Sequence, residues 1–471
     1  MTGNAQATRL PAAGRVSRWW ILALLFALAL GVVATVQPVI AVLAVGGAIL
    51  LIFALRDLSL LIAATLLFNM VGEPYHLALQ SISIGGLNLY ANDLLLIILA
   101  LALLLRGLRD RVVPALPKDP VSIALILFLG YGLFSLARSM PLFGSAAVTM
   151  FRVRFLYAVL FFLAIPALAD PRSRRRLLIA ILVAAAWISL LGFYNAATGS
   201  FVGGRTSSHT YRYLSSLQAL AIYFGLSLLI GVVWSQRRSL ASLLLGGIYL
   251  GGILISQARS IWVGAIAGML VAVFGSSNWK RNLVRLALPV GVVLLVFVLI
   301  GSMTGRVDIA EGIMTRATSF TTAPEDLTTV WRLYVWSEAL NQLQVNPLFG
   351  LGLGHPFVYL DPLQDTWDDS RQLHNTYLDL AFSSGAIATA LFVLFQALVF
   401  ARTMRAARRT RRRELSPVLL ALAASQVCLA ATAFANVVGD SMVATIDVWI
   451  LSAVSIVVAR EAMEEPEAAA R

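Results

Sequence analysis

The sequence predicts an all-α polytopic integral membrane protein with about 12–14 transmembrane helices and one long external loop containing amphipathic helices. Three observations carry that prediction. First, 59% of the 471 residues are hydrophobic and 13% charged, with a mean hydropathy of +0.84, whereas soluble domains carry about 25% charge. Second, the apolar runs approach or exceed the ~17–25 residues that cross a bilayer core. Rich in Leu and Ala, they lack the ten-residue alternation of barrel strands, so helices that satisfy their own backbone are expected. Third, Lys and Arg fall in short clusters between the runs, on alternate turns.

Helices are expected near 19–35, 38–55, 58–72, 90–105, 120–137, 153–169, 177–194, 214–235, 239–256, 260–275, 283–302, 376–400, 416–436 and 441–459. Basic turns mark the cytoplasmic side of such proteins. Here these are Arg56; Arg106, Arg109, Arg111 and Lys118; Arg172 and Arg174 to Arg176; Arg237 and Arg238; Lys280 and Arg281; and the run from Arg402 to Arg413. Opposite turns such as SISIGGLN and NVVGD lack basic residues. The alternation puts both termini in the cytoplasm and residues 302–375 outside. It divides the chain into an N-terminal helical bundle (1–301), a long outer loop (302–375) and C-terminal helices with a short tail (376–471).

The net charge of +13 follows the same turns, so it reads as topology rather than as a groove for nucleic acid. Arg9, Arg15 and Arg18 precede the first run, which reads as an uncleaved helix, since no A-x-A site follows it. The single cysteine, Cys428, excludes an intrachain disulfide and a Cys-rich metal site and reads as a small core residue.

Some arginines break the rule by falling on outer turns. Arg138, Arg152 and Arg154 sit where a long side chain can snorkel to the interface. Arg205, His209 and Arg212, in FVGGRTSSHTYRY, sit on a polar rim. Arg259, in ISQARSIWVG, occupies a turn of a few residues between two apolar runs. A lone arginine there is costly unless it meets water, a lipid phosphate or a substrate anion.

The outer loop contains LTTVWRLYVWSEALNQL. Leu327, Trp331, Tyr334, Val335 and Glu338 fall near one face, predicting an amphipathic helix at the interface. Arg332 is expected to point away from that stripe, towards water or a cavity. NPLFGLGLGHP follows, and its alternating glycines could turn backbone N–H groups towards an oxyanion. Asp361, Asp365, Asp368 and Asp369 make an acidic lip whose spacing matches no EF-hand. His374 and Asn375 stand where the chain re-enters the membrane. An imidazole, with an unperturbed pKa near ~6.5, suits acid–base work there.

These features together resemble the O-antigen ligase and polymerase superfamily of bacterial polytopic membrane glycosyltransferases. The resemblance rests on the SQARS turn at Arg259, on R-x-x-x-W-x-x-A at Arg332, Trp336 and Ala339, on NPLFGLGLG, and on HNTYLDLAFSSG from His374 to Gly385. It implies transfer of a glycan from undecaprenyl diphosphate to an acceptor hydroxyl at the periplasmic face of the inner membrane, inverting and without metal or other cofactor. The acceptor would be lipid A–core in a ligase or another lipid-linked repeat in a polymerase. It implies that His374 is catalytic and that Arg259 and Arg332 handle the diphosphate, with Arg205, Arg212, His209 and Asn375 as further substrate contacts. Members often carry asparagines where this chain has SSHTYRY, which leaves the acceptor open.

Two other readings compete. Transfer of the same donor to a protein would suit a chain with a further soluble domain, whereas a short acidic stretch, EAMEEPEAAAR, follows the last helix. A lipid-linked saccharide transporter would place polar groups at mid-membrane or on internal repeats, while the polar groups here gather at the outer edge.

Overall fold

The computed structural model describes residues 49–72, 81–84, 87–110, 118–200, 213–235, 240–276, 278–284, 327–361, 366–370, 372–412, 414–436 and 441–464, with positions 47, 291, 313, 314, 318 and 438. The helices expected at 19–35, most of 38–55 and nearly all of 283–302 lie outside the described residues, as do Arg205, His209, Arg212 and Asp365.

Thirteen helices are used below: α1 (Leu58–Gly72), α2 (Ala91–Asp110), α3 (Pro120–Phe143), α4 (Ser145–Arg154), α5 (Val159–Leu168), α6 (Pro171–Thr198), α7 (Ser216–Ser235), α8 (Leu240–Ile255), α9 (Arg259–Gly275), α10 (Leu327–Leu343), α11 (Thr376–Arg409), α12 (Leu415–Phe434) and α13 (Met442–Met463). By length and composition α2, α3, α4 with α5, α6, α11 and α12 can each cross a membrane, and α1, α7, α8 and α9 are shorter apolar helices. The expected helix at 153–169 is broken instead: α4 ends at Arg154, and a 3-10 turn at Leu156–Ala158 leads into α5.

Two antiparallel hairpins were not foreseen. Strands β1 (Ser81–Ile84) and β2 (Leu87–Tyr90) pair Ile84 with Leu87, and β3 (Phe357–Asp361) and β4 (Thr366–Ser370) pair Asp361 with Thr366. SISIGGLNLY does carry the signal, two alternating runs around a Gly-Gly pair.

Proline and an aspartate start α3 and α6 in the same way. Asp119 and Asp170 cap the helices by accepting the N–H of Ser122 and Ser173, with proline in the first turn of each. Helix α9 lies directly on α12 because Gly264 and Gly268 leave room for it. A Cβ at Gly268 would stand 2.4 Å from the Ala424 carbonyl, and one at Gly264 2.9 Å from that of Cys428. In lipid, such close backbone approach, rather than escape from water, holds helices together. Cys428 is buried in this contact, the core role expected of it.

The ends of the helices sort by chemistry. Arg402, at the close of α11, and Arg460, at the close of α13, both reach Asp119 at the start of α3, at 3.1 and 2.9 Å. Arg174 and Arg412 meet on Glu461, Arg176 pairs with Asp57, and Arg106 donates to the carbonyls of Ala54 and Leu55. This is the arginine-rich end. Antiparallel neighbours α3 and α11 therefore bring the end of one and the start of the other, with Phe143 and Thr376, to the opposite end.

Candidate functional site

At that opposite end, α11 opens with a turn, Leu373–His374–Asn375. Asn375 is buried, and its side-chain oxygen caps α11 by accepting the N–H groups of Tyr377 and Leu378, each at 3.1 Å. His374 has φ of 53°, and Gln257, two residues before Arg259, has φ of 51°. Among the described residues these are the non-glycine residues with positive φ. Such conformations cost energy and concentrate where geometry serves function.

Helix α10 packs over this turn. Trp331 stands edge-on to His374 with ring centroids 5.6 Å apart, and Trp336 donates its Nε1–H to the Leu373 carbonyl at 2.8 Å. Arg332 lies on the helix between these two contacts. The buried seam is Val335, Ala339 and Leu343, of which Val335 and Ala339 pack with Phe357, Tyr359, Leu373 and Phe382. Four-residue spacing puts Trp331 at the head of that seam and Arg332 beside it. The expected stripe through Glu338 is thus rotated to Ala339, and Arg332, beside the seam, has its Nε buried. Glu338 accepts instead from Gln342. Val330, Leu333 and Leu340 form a second, exposed apolar face, consistent with a helix seated between protein and lipid headgroups.

Arg259, the first residue of α9, reaches the same turn through its neighbour. Ser260 Oγ accepts from Asn436 Nδ2, and the Asn436 carbonyl accepts from Thr376 Oγ1 at 2.9 Å. Asn436, in the turn after α12, therefore ties the start of α9 to the start of α11. The start of α9, which carries Arg259, is thus tied to the start of α11, and α10, which carries Arg332, packs on the His374 turn that precedes α11.

The glycine segment does something other than expected. Helix α11 breaks at Gly385 (φ 83°, ψ 175°), and residues 347–352 fill the break. Leu351 N–H donates to the Phe382 carbonyl at 2.7 Å, Gly352 N–H to that of Ser383 at 3.0 Å, and Ala386 N–H to that of Pro347 at 2.9 Å. Leu353 N–H goes to Ser139 Oγ and Gly350 N–H to the Asn346 carbonyl. Four consecutive N–H groups are committed within the protein, so an oxyanion cradle at 350–353 is not formed. The glycines are needed for contact: a Cβ on Gly385 would stand 2.0 Å from the Leu348 carbonyl.

The three arginines expected to snorkel from outer turns are internal ties. Arg138 donates to the carbonyls of Phe349 and Gly350, at 2.6 Å each, clamping the glycine segment. Arg152 pairs with Asp93 at 2.9 Å, lies 4.6 Å from the Tyr90 ring centroid and donates to the Asn88 carbonyl. Arg154 donates to the Asp379 carbonyl and to Ser383 Oγ. Their partners are far away in sequence, so no local pattern reveals them.

His355 packs edge-on between Phe143 and Phe382, and its Nδ1 lies 2.7 Å from the Pro356 carbonyl. That bond makes Nδ1 the protonated nitrogen and the ring a structural one. Asp361 is buried on β3 while Asp368 and Asp369 are exposed on β4. Tyr359 donates to Asp368 at 2.9 Å; burial, with that carboxylate beside it, pushes its phenol above the ordinary value. Among the described residues no three His, Cys, Asp or Glu side chains gather as a metal site.

Residues 241–393, which span Arg259, Arg332, His374 and Gly385, match the family model described as O-Antigen ligase, Wzy_C. A curated O-antigen ligase of Pseudomonas aeruginosa is 27% identical over 334 residues, 67% of this chain and 73% of that protein. The two matches support an assignment at the level of the family.

Proposed function

We propose that this chain is a membrane glycosyltransferase of the O-antigen ligase type. It moves a glycan from undecaprenyl diphosphate to a hydroxyl of a glycolipid acceptor such as lipid A–core, at the periplasmic face of the inner membrane. The observation that supports this reading is the tie of the starts of α9 and α11 through Asn436, with α10 packed over the His374 turn, the three elements that carry Arg259, His374 and Arg332.

The chemistry follows from the residue types. The acceptor oxygen attacks the anomeric carbon as the bond from that carbon to the diphosphate oxygen breaks, and the diphosphate leaves with the electron pair. Guanidinium forks stabilise the departing oxygens without needing a divalent ion. His374 takes the proton lost by the acceptor hydroxyl, a role suited to a neutral imidazole. One displacement from the face opposite the leaving group inverts the anomeric configuration. The exposed apolar face of α10 supports placing Arg332 at the depth of the lipid headgroups, where a lipid-linked diphosphate sits. Arg205, His209 and Arg212 are assigned to the outer substrate rim, and the lipid-linked glycan and the membrane itself are the partners.

The test is identification of the product. Purified protein is incubated with undecaprenyl-diphosphate oligosaccharide and offered lipid A–core, a second lipid-linked unit or a protein. Glycosylated lipid A–core is the expected product. Extended lipid-linked chains would make the protein a repeat-unit polymerase, glycoprotein an oligosaccharyltransferase, and movement across vesicles without product a transporter.

A further inference from the structure

The residue carrying His374 is bracketed by a carboxylate that the transfer chemistry does not use. Asp379 is 3% exposed, and its Oδ1 accepts the Leu373 N–H at 2.8 Å. Its own N–H donates to the Asn375 carbonyl at 2.8 Å. One residue thus bonds to the backbone on both sides of His374. The Leu373 carbonyl, which begins the peptide leading into His374, is held by Trp336. Arg154 fixes the bracket from behind by donating to the Asp379 carbonyl at 3.1 Å.

An acidic residue in a first helical turn ordinarily answers the helix dipole from an exposed position. Asp379 is buried, and Asn375 already caps the helix. Its carboxylate turns back past the helix start to the residue before His374. A left-handed turn in a side-chain-bearing residue persists only where its surroundings over-determine it. We propose that Asp379 is a positioning residue for His374, fixing through the Leu373 N–H the turn that presents the imidazole to the acceptor hydroxyl. The proposal rests on the reading of His374 as the proton acceptor.

A misplacement of about 1 Å at a reacting group costs about 100-fold in rate. Asp379→Ala is therefore expected to lower kcat about 100-fold, with KM for the lipid-linked donor within about twofold of wild type. Asp379→Asn keeps an acceptor oxygen for the Leu373 N–H and is expected to recover at least about tenfold of that loss. A purely structural role would lower the amount of folded protein and leave kcat per folded molecule unchanged. Wild-type kcat in folded Asp379→Ala, or an Asp379→Asn as slow as Asp379→Ala, overturns the proposal. If Asp379→Ala does not accumulate, Trp336→Phe tests the hold on Leu373 from its carbonyl side, the peptide that leads into His374: kcat about tenfold lower supports the proposal and wild-type kcat overturns it. His374→Asn is assayed alongside. Full activity there removes the reading of His374 itself, whereas inactive His374→Asn with fully active Asp379→Ala removes only the positioning role.

Discussion

Gln257 and His374 share a left-handed backbone conformation, with φ of 51° and 53°, that no other non-glycine residue among those described adopts. One lies two positions before Arg259 and the other is the proposed proton acceptor. The strain is therefore confined to the two turns that hold candidate chemistry. A fold pressed only to bury surface would relax such turns by placing glycine there. Keeping side chains in them implies that the position of each turn matters more than its intrinsic cost, about 1 kcal/mol per residue.

The joint between the two turns is Asn436. Its side chain reaches Ser260 and its carbonyl accepts from Thr376. Asn436→Ala removes the first bond and is expected to slow transfer about 10- to 100-fold while costing about 1 kcal/mol of stability. Parallel measurement of kcat and of thermal unfolding in detergent checks both, and unchanged kcat would show that the two turns are positioned independently.

Gly385 and Gly350 lock the outer segment onto the broken helix. Both have positive φ, and a Cβ on either would stand within 2.6 Å of backbone atoms of the other segment. Gly385→Ala is expected to cost about 3 kcal/mol or more, since strain and backbone overlap add. The check is the yield of monodisperse protein and its melting temperature. A melting temperature equal to wild type would mean that the 347–352 segment does not seat there.

At the arginine-rich end, Asp119 supplies a pH dependence. Burial raises its carboxyl, but the hydrogen bonds from Ser122 and the charges of Arg402 and Arg460 outweigh that and hold it below 3.8. A carboxyl depressed in the folded state contributes stability above its unfolded value, and that contribution is lost as pH falls through the folded value. Wild type is therefore expected to lose stability below about pH 4 more steeply than Asp119→Asn. Melting curves from pH 6 to pH 2.5 measure the difference, and parallel curves would remove Asp119 from the account.

Transfer without a metal makes a further prediction. Activity is expected to remain within about twofold of its starting value after exhaustive chelation, because arginines carry the leaving-group charge. Loss restored by one divalent ion would contradict this.

How much could be read from the residues depended on the range of the interactions. Helices α1, α6, α9 and α12 follow from apolar runs bounded by charge or turn residues, which is local information. The HN turn and Arg259 stand out because polar groups at the edge of an apolar run need a reason to be there, whereas Arg332, inside the polar loop, is singled out by the resemblance. Asp379 does not stand out, because an acid in a first helical turn is ordinary and only the fold shows it buried against Leu373. Arg154 stands out as an exception on an outer turn, but its partners on α11 are not legible for the same reason. Ser383, Ser384 and Gly385 mark a weak point in the α11 run, but only the fold shows residues 347–352 filling the break, and the buried stripe of α10 is set by Phe357 and Tyr359 of β3, which the helix's own residues do not reveal.

The central claim is that His374 and the two arginines perform the transfer. Its most direct measurement is the single-turnover rate of glycan transfer from undecaprenyl diphosphate by wild type, His374→Asn, Arg332→Ala and Arg259→Ala, each purified and matched for folded protein. Asparagine tolerates the left-handed turn at 374, so that variant isolates the imidazole. The account predicts folded proteins whose rates fall about 100- to 1,000-fold or more. Wild-type rates in His374→Asn and Arg332→Ala would contradict it.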